Sequence, residues 1–469
     1  MSLRFLCGIP RTPLGLVALL GLVPSATFAN PVVSQGVLDA LAEKPTVRVM
    51  IAFDLAAASA ELEGGAFLTS EAGQQAVASA RERVLAAISA GELALQRQFT
   101  SVPAVAGDIT RRGLEELLLE PSVRRVDLDV GGGGNLSESI PLSSFDTVQM
   151  AGLTGTGTTV AVIDSGYDTD HADLSDNLVA EQCFCSDNGA GCCPGGGITQ
   201  SGVGSAEDDH GHGTNVSGVI TSAGNVASIG AAPDAGIVAV KVLDDNNSFC
   251  CTSDVVAGLD WVATNFPDVE AVNASLGTFA LFPGECDDAT AFTMALATAV
   301  DNLRSLGVPV FVSAGNEGSG TEMGAPACVA NSISVGAVYD SNFGPNTVFC
   351  SDPTTAADQV TCFSNSNATT DLFAPGAPIT SAGVGGGTST FFGTSQASPH
   401  AAACAALLRQ ATPTLTPEEL ETALESSPIM VTDSTNGLSF PRLDCQNALD
   451  LTSGLIFADS FESGDASAW

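Results

Sequence analysis

Lysine is nearly missing from this chain, which holds only Lys44 and Lys241 in 469 residues. Lysine and arginine together number 15 against 53 aspartates and glutamates, a formal net charge of −38 at pH 7. The imbalance concentrates from Gly131 onward, where Lys241, Arg304, Arg409 and Arg442 face 39 acidic residues, a formal balance of −35. A surface of that sign repels nucleic acid and anionic membranes and favours cations or cationic substrates. Charged residues make up only 14% of the chain, so scarce lysine causes the acidity more than abundant carboxylate does, and solubility explains it better than substrate steering. Long apolar runs are missing too. The run Leu14 to Val23 spans ten residues against the roughly 20 that a membrane-crossing helix needs, and no later stretch fills the gap. Histidine is confined to His171, His210, His212 and His400, so imidazole chemistry must come from one of these four.

Arg4 and Arg11 flank the start of that apolar run, and Ser25-Ala26-Thr27-Phe28-Ala29 ends it. This pattern predicts a secretory signal peptide over residues 1–29 and a secreted protein, extracellular or periplasmic. Losing Cys7 with the signal leaves twelve of the 13 cysteines, an even number that suits disulfides in an oxidising compartment. Cys183, Cys185, Cys192 and Cys193 lie among Gly, Asn and Asp in a stretch from Glu181 to Ser205, and Cys250-Cys251 is a further pair. No histidine lies inside that stretch, which favours a disulfide-stapled loop over zinc. Cys350–Cys362, Cys404–Cys445 and Cys286–Cys328 are candidate bridges, although spacing does not fix connectivity.

Residues 30–130 hold nine of the 15 basic residues and no cysteine, which marks a separate unit. Thr46 to Phe53 alternates like a strand, and Gly73 to Phe99, interrupted only by Gly91, suits one helix. Ala104–Ile109, Leu114–Leu119 and Val123–Asp127 complete an order of strand, helix, strand, helix, strand. The run Gly131 to Gly134 reads as a flexible, protease-accessible joint. From Thr158 apolar strands are expected at Thr159–Ile163, Ile237–Leu243, Ala271–Ala274, Val308–Ser313 and Ser332–Val338. They alternate with helices at Val216–Ser222, Ser253–Asn265, Ala289–Leu306 and Ala397–Gln410. Thr416-Pro417-Glu418-Glu419 opens a last helix with a capping box. The expected class is α/β, a three-layer α/β/α arrangement with a mostly parallel sheet over residues 131–450, preceded by a small α+β unit. Residues 451–469 are acidic, aromatic and without periodicity, an appended tail.

In open parallel sheets ligands bind beyond the carboxyl ends of the strands. Asp164 stands there, directly after Val160-Ala161-Val162-Ile163 and before Ser165-Gly166. His212 lies in Gly211-His212-Gly213-Thr214 at a helix start, where imidazole is poised to exchange protons. Ser395 follows Gly393-Thr394 at the start of an apolar helix, among unpaired N–H groups and at the positive end of the helix dipole. For an isolated Gly-Thr-Ser, a simple helix cap is the competing reading. Asp164 and His212 turn the balance, because histidine can take a serine's proton and a carboxylate can orient the histidine. Pro399 then falls in the first helical turn, where its missing N–H costs little.

These three motifs in this order, with His212 48 residues after Asp164 and Ser395 183 residues after His212, resemble the subtilisin-like serine peptidases. The resemblance runs from about residue 45 to about 450. It implies a secreted, self-processed serine endopeptidase that hydrolyses polypeptides through an acyl-enzyme and needs no cofactor for the chemistry. It implies a monomer with its own propeptide, residues 30–130, as intramolecular inhibitor, removed between Asp127 and Ser137. Asn316, in Ala314-Gly315-Asn316-Glu317, matches the family's oxyanion donor. Ser275-Leu276-Gly277 matches the strand edge that pairs with substrate. Ala314 and Gly315 match one wall of the primary specificity pocket and Thr321 to Pro326 its rim, where Glu322 either adds a preference for basic residues or is simply exposed. Asp173 and Asn225 match ligands of a structural calcium, in a loop one residue shorter than the family's; surface carboxylates without an ion are the alternative. Two residues depart from the pattern: Asn215 stands where the family has histidine, and Gln396 where it has methionine. A hydrolase of esters or small amides and a non-catalytic binding protein on the same scaffold are the rival readings.

Overall fold

A computed structural model describes residues 32–55, 65–129, 132–134, 140–187 and 190–453. The expected signal peptide lies outside the described residues. So does the tail from residue 454, although its first residues, Leu451 and Thr452, close a helix that runs over Cys445–Thr452.

Residues 32–129 build a five-stranded sheet from β1 (Val32–Val33), β2 (Thr46–Phe53), β3 (Leu93–Gln98), β4 (Ala104–Thr110) and β5 (Val123–Leu128) in the order β1-β5-β2-β4-β3. Helices α1 (Gln35–Glu43), α2 (Glu71–Ala86) and α3 (Arg111–Leu117) complete it. The alternation of β2 is put to use on both faces. Val49, Ile51 and Phe53 enter the unit's own core with Val77 and Val84 of α2. Met50 and Ala52 enter a second core that also contains Ala295, Leu296 and Ala299 of a helix far along the chain. The single helix expected over Gly73 to Phe99 is instead α2 followed by β3. Gly91, at φ +89°, lies in the turn between them, and from Leu93 onward the chain is extended.

The larger unit is built on an eight-stranded sheet. Its strands, in chain order after β6 (Gly132–Gly134), are β7 (Thr159–Asp164), β8 (Leu178–Phe184), β9 (Thr199–Ser201), β10 (Gly236–Lys241), β12 (Ala271–Ala274), β14 (Val310–Ser313), β15 (Ile333–Tyr339) and β16 (Leu372–Ala377). The spatial order is β9-β8-β10-β7-β12-β14-β15-β16, and every pairing is parallel except β9 with β8. Helices α4 (His212–Thr221), α5 (Thr252–Asn265), α6 (Ala291–Ser305) and α7 (Thr394–Ala411) accompany it, and α8 (Pro417–Glu425) opens with the expected capping box. The mostly parallel sheet with helices therefore stands as the sequence predicts. Three strands of this sheet were not expected from the sequence: β8, the three-residue β9 and β16. β8 is less apolar than its neighbours, and β16 contains Pro375, which is tolerated because β16 is an edge strand.

Two short strands, β11 (Ser248–Phe249) and β13 (Leu276–Thr278), flank β6 in a separate antiparallel sheet of order β11-β6-β13. Gly132–Gly134 is therefore paired on both sides rather than a free joint. The candidate bridges Cys286–Cys328, Cys350–Cys362 and Cys404–Cys445 are all formed. The cysteine-rich stretch is stapled by Cys183–Cys193 and Cys185–Cys192, and Cys250 bonds its neighbour Cys251.

Candidate active site

Four chain segments meet at the carboxyl edge of the large sheet. Asp164 is the last residue of β7 and His212 the first of α4, and both side chains are buried. His212 Nδ1 lies 2.5 Å from Asp164 Oδ1, which also accepts the Ser165 N–H at 2.7 Å. The approach depends on two glycines. Gly211 adopts φ +102°, and a Cβ on Gly213 would lie 2.2 Å from the Gly166 carbonyl.

Asp208, which the sequence reading passed over, ties the two motifs together. Its carboxylate accepts the N–H groups of His210, Gly211 and Thr214, the Thr214 hydroxyl and the Ser165 hydroxyl, while Ser165 Oγ in turn accepts the Gly213 N–H. Burial pushes the Asp208 carboxyl up, but the bonds from Gly211 and Thr214 outweigh it and hold the group below its ordinary value. An aspartate four residues before a motif histidine was the available signal. Lys241 is buried beside them, donating to the carbonyls of Ser165 and Leu243 and to Asp209. His171 serves structure: its Nδ1 accepts the Asp173 N–H, and its Nε2 meets the Gly387 carbonyl.

Ser395 is the second residue of α7, which begins at Thr394, three residues earlier than expected. Its hydroxyl donates to the Ser275 carbonyl at 3.0 Å. Pro399 therefore sits in the second turn, where a normal residue would donate its N–H to the carbonyl of Ser395. The Ser275 hydroxyl takes that role, donating to the Ser395 carbonyl at 2.5 Å. Asn316 is fixed through one end of its amide. Oδ1 accepts the Thr394 N–H at 2.9 Å and hydroxyl at 3.0 Å, whereas Nδ2 is buried and has no protein partner. A locked amide with a free donor is the arrangement an oxyanion site requires.

Beside these groups a cavity of about 380 Å³ is lined by Gly277, Thr278, Ala314, Gly315, Glu317 and Phe349, among others. A Cβ on Gly315, at φ +106°, would lie 2.4 Å from Asn365 Nδ2, so the wall is confined to glycine. Glu317 brings a carboxylate to this cavity. Leu276 and Gly277 pair antiparallel with Gly134 and Gly133.

The two departures from the pattern meet each other: Gln396 Nε2 donates to Asn215 Oδ1 at 3.1 Å, and Asn215 Nδ2 donates to the Ser389 carbonyl at 3.0 Å. The expected calcium ligands, by contrast, do not fit a cation. The Asp173 carboxylate accepts the N–H groups of Asn225, Val226 and Ala227, and the Asn225 amide donates to the Ala172 carbonyl. N–H groups turned toward the carboxylate occupy the lone pairs a calcium ion would use. Burial pushes the Asp173 carboxyl up, and those amides bring it below its ordinary value.

Subtilisin E from Bacillus subtilis (strain 168) is 32% identical to this chain over 360 residues, covering 75% of this chain and 82% of that protein. An alkaline protease from Alkalihalobacillus alcalophilus is 29% identical over 423 residues, 89% of this chain and 94% of that protein. A solved structure of a cold adapted subtilisin-like serine proteinase aligns at 29% identity with a TM-score of 0.47, covering 62% of this chain and 90% of that one. Residues 155–443, the part that carries the sheet, the Asp164–His212 pair and Ser395, match the Subtilase family. The chain belongs to that family and is a serine-type endopeptidase.

Proposed function

We propose that Ser395 is the nucleophile, His212 its general base, Asp164 the group that orients the imidazole, and Asn316 the side-chain donor to the oxyanion. The carrying observation is the 2.5 Å contact between His212 Nδ1 and Asp164 Oδ1 at one sheet edge, with the Ser395 hydroxyl at a helix start on the same edge. Ser395 Oγ attacks the substrate carbonyl as its proton passes to His212 Nε2. Asp164 stabilises the imidazolium through Nδ1–H. The negative oxygen of the tetrahedral intermediate is received by Asn316 Nδ2 and the Ser395 N–H. Collapse of the intermediate expels the amine, which takes the proton from His212 and leaves an acyl-enzyme. Water then repeats the sequence to release the acid. No cofactor enters these steps.

The substrate is an extended polypeptide lying between β11 and β13, the place held by β6 in the precursor. Small residues at Ala314 and Gly315 leave room for a large apolar side chain. Residues 30–130 act as a propeptide that delivers the segment following it, β6, to this cleft, and the protein is secreted and self-processed. Gly133 faces Gly277 and Gly134 faces Leu276, which directly follows Ser275, whose carbonyl receives the Ser395 hydroxyl. That proximity supports self-cleavage within the span from Asp127 to Ser137.

Casein digestion by the wild type and by Ser395→Ala tests the reading. Wild type should digest casein, while Ser395→Ala should be inert and accumulate as uncleaved precursor. An esterase would leave casein intact, and a binding protein would show no difference between the two. Amino-terminal sequencing of the processed protein should begin between Leu128 and Ser137.

A further inference from the structure

The cysteine-stapled stretch takes no part in the chemistry above, yet it surrounds a buried ion pair between the two units. A register shift between Leu95 and Arg97 breaks the regular pairing of β3 with β4, and at this irregularity the Arg97 side chain leaves its own unit. Arg97 and Asp254 have side chains only 6% and 0% exposed. Arg97 Nε donates to Asp254 Oδ1 at 2.9 Å, and Nη2 donates to the Ile198 carbonyl at 2.7 Å and the Ser186 hydroxyl at 3.2 Å.

The acceptors are themselves fixed. Asp254 lies in the first turn of α5, where a carboxylate is favoured by the helix dipole, and its Oδ2 accepts the Ser186 N–H at 2.7 Å. Ser186 follows Cys185, and the Ile198 carbonyl also accepts the Cys185 N–H. The Cys183–Cys193 and Cys185–Cys192 bridges bracket this corner of the loop. A carboxylate, a hydroxyl and a carbonyl spread around one side chain match the planar fork of guanidinium and not the point charge of ammonium.

We propose that the stapled loop is an arginine socket, that its occupant is Arg97 of the N-terminal unit, and that this contact sets how long the unit stays bound once the chain is cut. The proposal rests on the self-processing reading given above. In the cleft, the segment that pairs with β13 is three glycines, so its hold there is made by backbone alone. Withdrawing Arg97 strips the partner from a buried carboxylate, which makes departure slow. Burial already pushes Asp254 up to about 7, against the pull of Arg97.

The test follows full-length precursors carrying Arg97→Ala, Arg97→Lys or Ser186→Ala, with Arg112→Ala as a control, since Arg112 is exposed and pairs with Glu116 inside its own unit. Gel analysis reads the cut, size-exclusion chromatography reads whether the cut unit co-elutes, and peptide hydrolysis reads the lag before activity. Arg97→Ala should cut normally and lose the bound unit at least tenfold sooner. Arg97→Lys should behave like Arg97→Ala, Ser186→Ala should shorten the lag several-fold, and Arg112→Ala should match wild type. Wild-type lag in Arg97→Ala overturns the socket. If Arg97→Ala yields no folded product, wild-type lag in Ser186→Ala overturns it equally. A wild type that never cuts itself would instead refute the self-processing reading.

Discussion

At the scale of single residues, the amide of Asn316 divides its two ends between structure and chemistry, with Oδ1 held by Thr394 and Nδ2 free. Asn316→Ala should lower kcat by about a hundred- to a thousandfold with little change in KM, as steady-state hydrolysis of a peptide substrate would show. Gln396 and Asn215 both depart from the family pattern and are joined by a hydrogen bond from Gln396 Nε2 to Asn215 Oδ1, a relation that sequence separation conceals. An amide beside the proposed nucleophile cannot be oxidised as a thioether can. The wild type should therefore keep its activity in dilute peroxide while Gln396→Met loses it; rapid loss in the wild type without oxidation elsewhere would count against this. The meeting of Asp164, His212 and Ser395 at one sheet edge was legible because each motif places its residue at a strand end or helix start. Asp208 offered only its place four residues before His212, since its contribution lies in five hydrogen bonds made by the folded loop.

At the scale of elements, α8 brings Glu421 and Glu425 close to Asp371, which directly precedes β16. Burial, then the charges of Asp371 and Glu421, push Glu425 up to about 7, from an ordinary value of 4.5. A carboxyl raised in the folded state contributes its stability in full below about 4.5, and the contribution is lost as pH rises through about 7. Glu425→Gln should therefore raise the thermal midpoint at pH 8, by roughly 2–4 °C for each kcal/mol recovered, and leave it unchanged at pH 4. Ser275 illustrates a different dependence between elements. Because Pro399 offers no N–H, Ser275→Ala should leave the Ser395 carbonyl without its donor and cost about 1–3 kcal/mol by denaturant unfolding. The sequence marked Pro399 as harmless at a helix start; only the true beginning of α7 at Thr394 reveals the second turn and the hydroxyl that serves it. The missed strand β3 has a related cause, since Leu93 to Gln98 carries no breaker, and its state is decided by pairing with β4.

At the scale of the whole molecule, the loop anchored by Asp173 is closed by the chain's own amides. Asp173→Asn should lower the thermal midpoint equally in excess calcium and in chelator; a loss confined to calcium-containing buffer would make the residue a metal ligand after all. The two units share a core that includes Met50 and Phe99 from one and Phe292 and Val300 from the other, so the full-length chain should unfold as one body. The segment Gly132–Gly134, paired on both edges at the cleft, has a consequence for how such a protein can change. A strand without side chains does not read the shape of the cavity beside Gly315. If the chain restrains itself as proposed above, substitutions that reshape the cavity would alter which substrates are cut without altering that restraint, so diet and restraint are free to evolve apart.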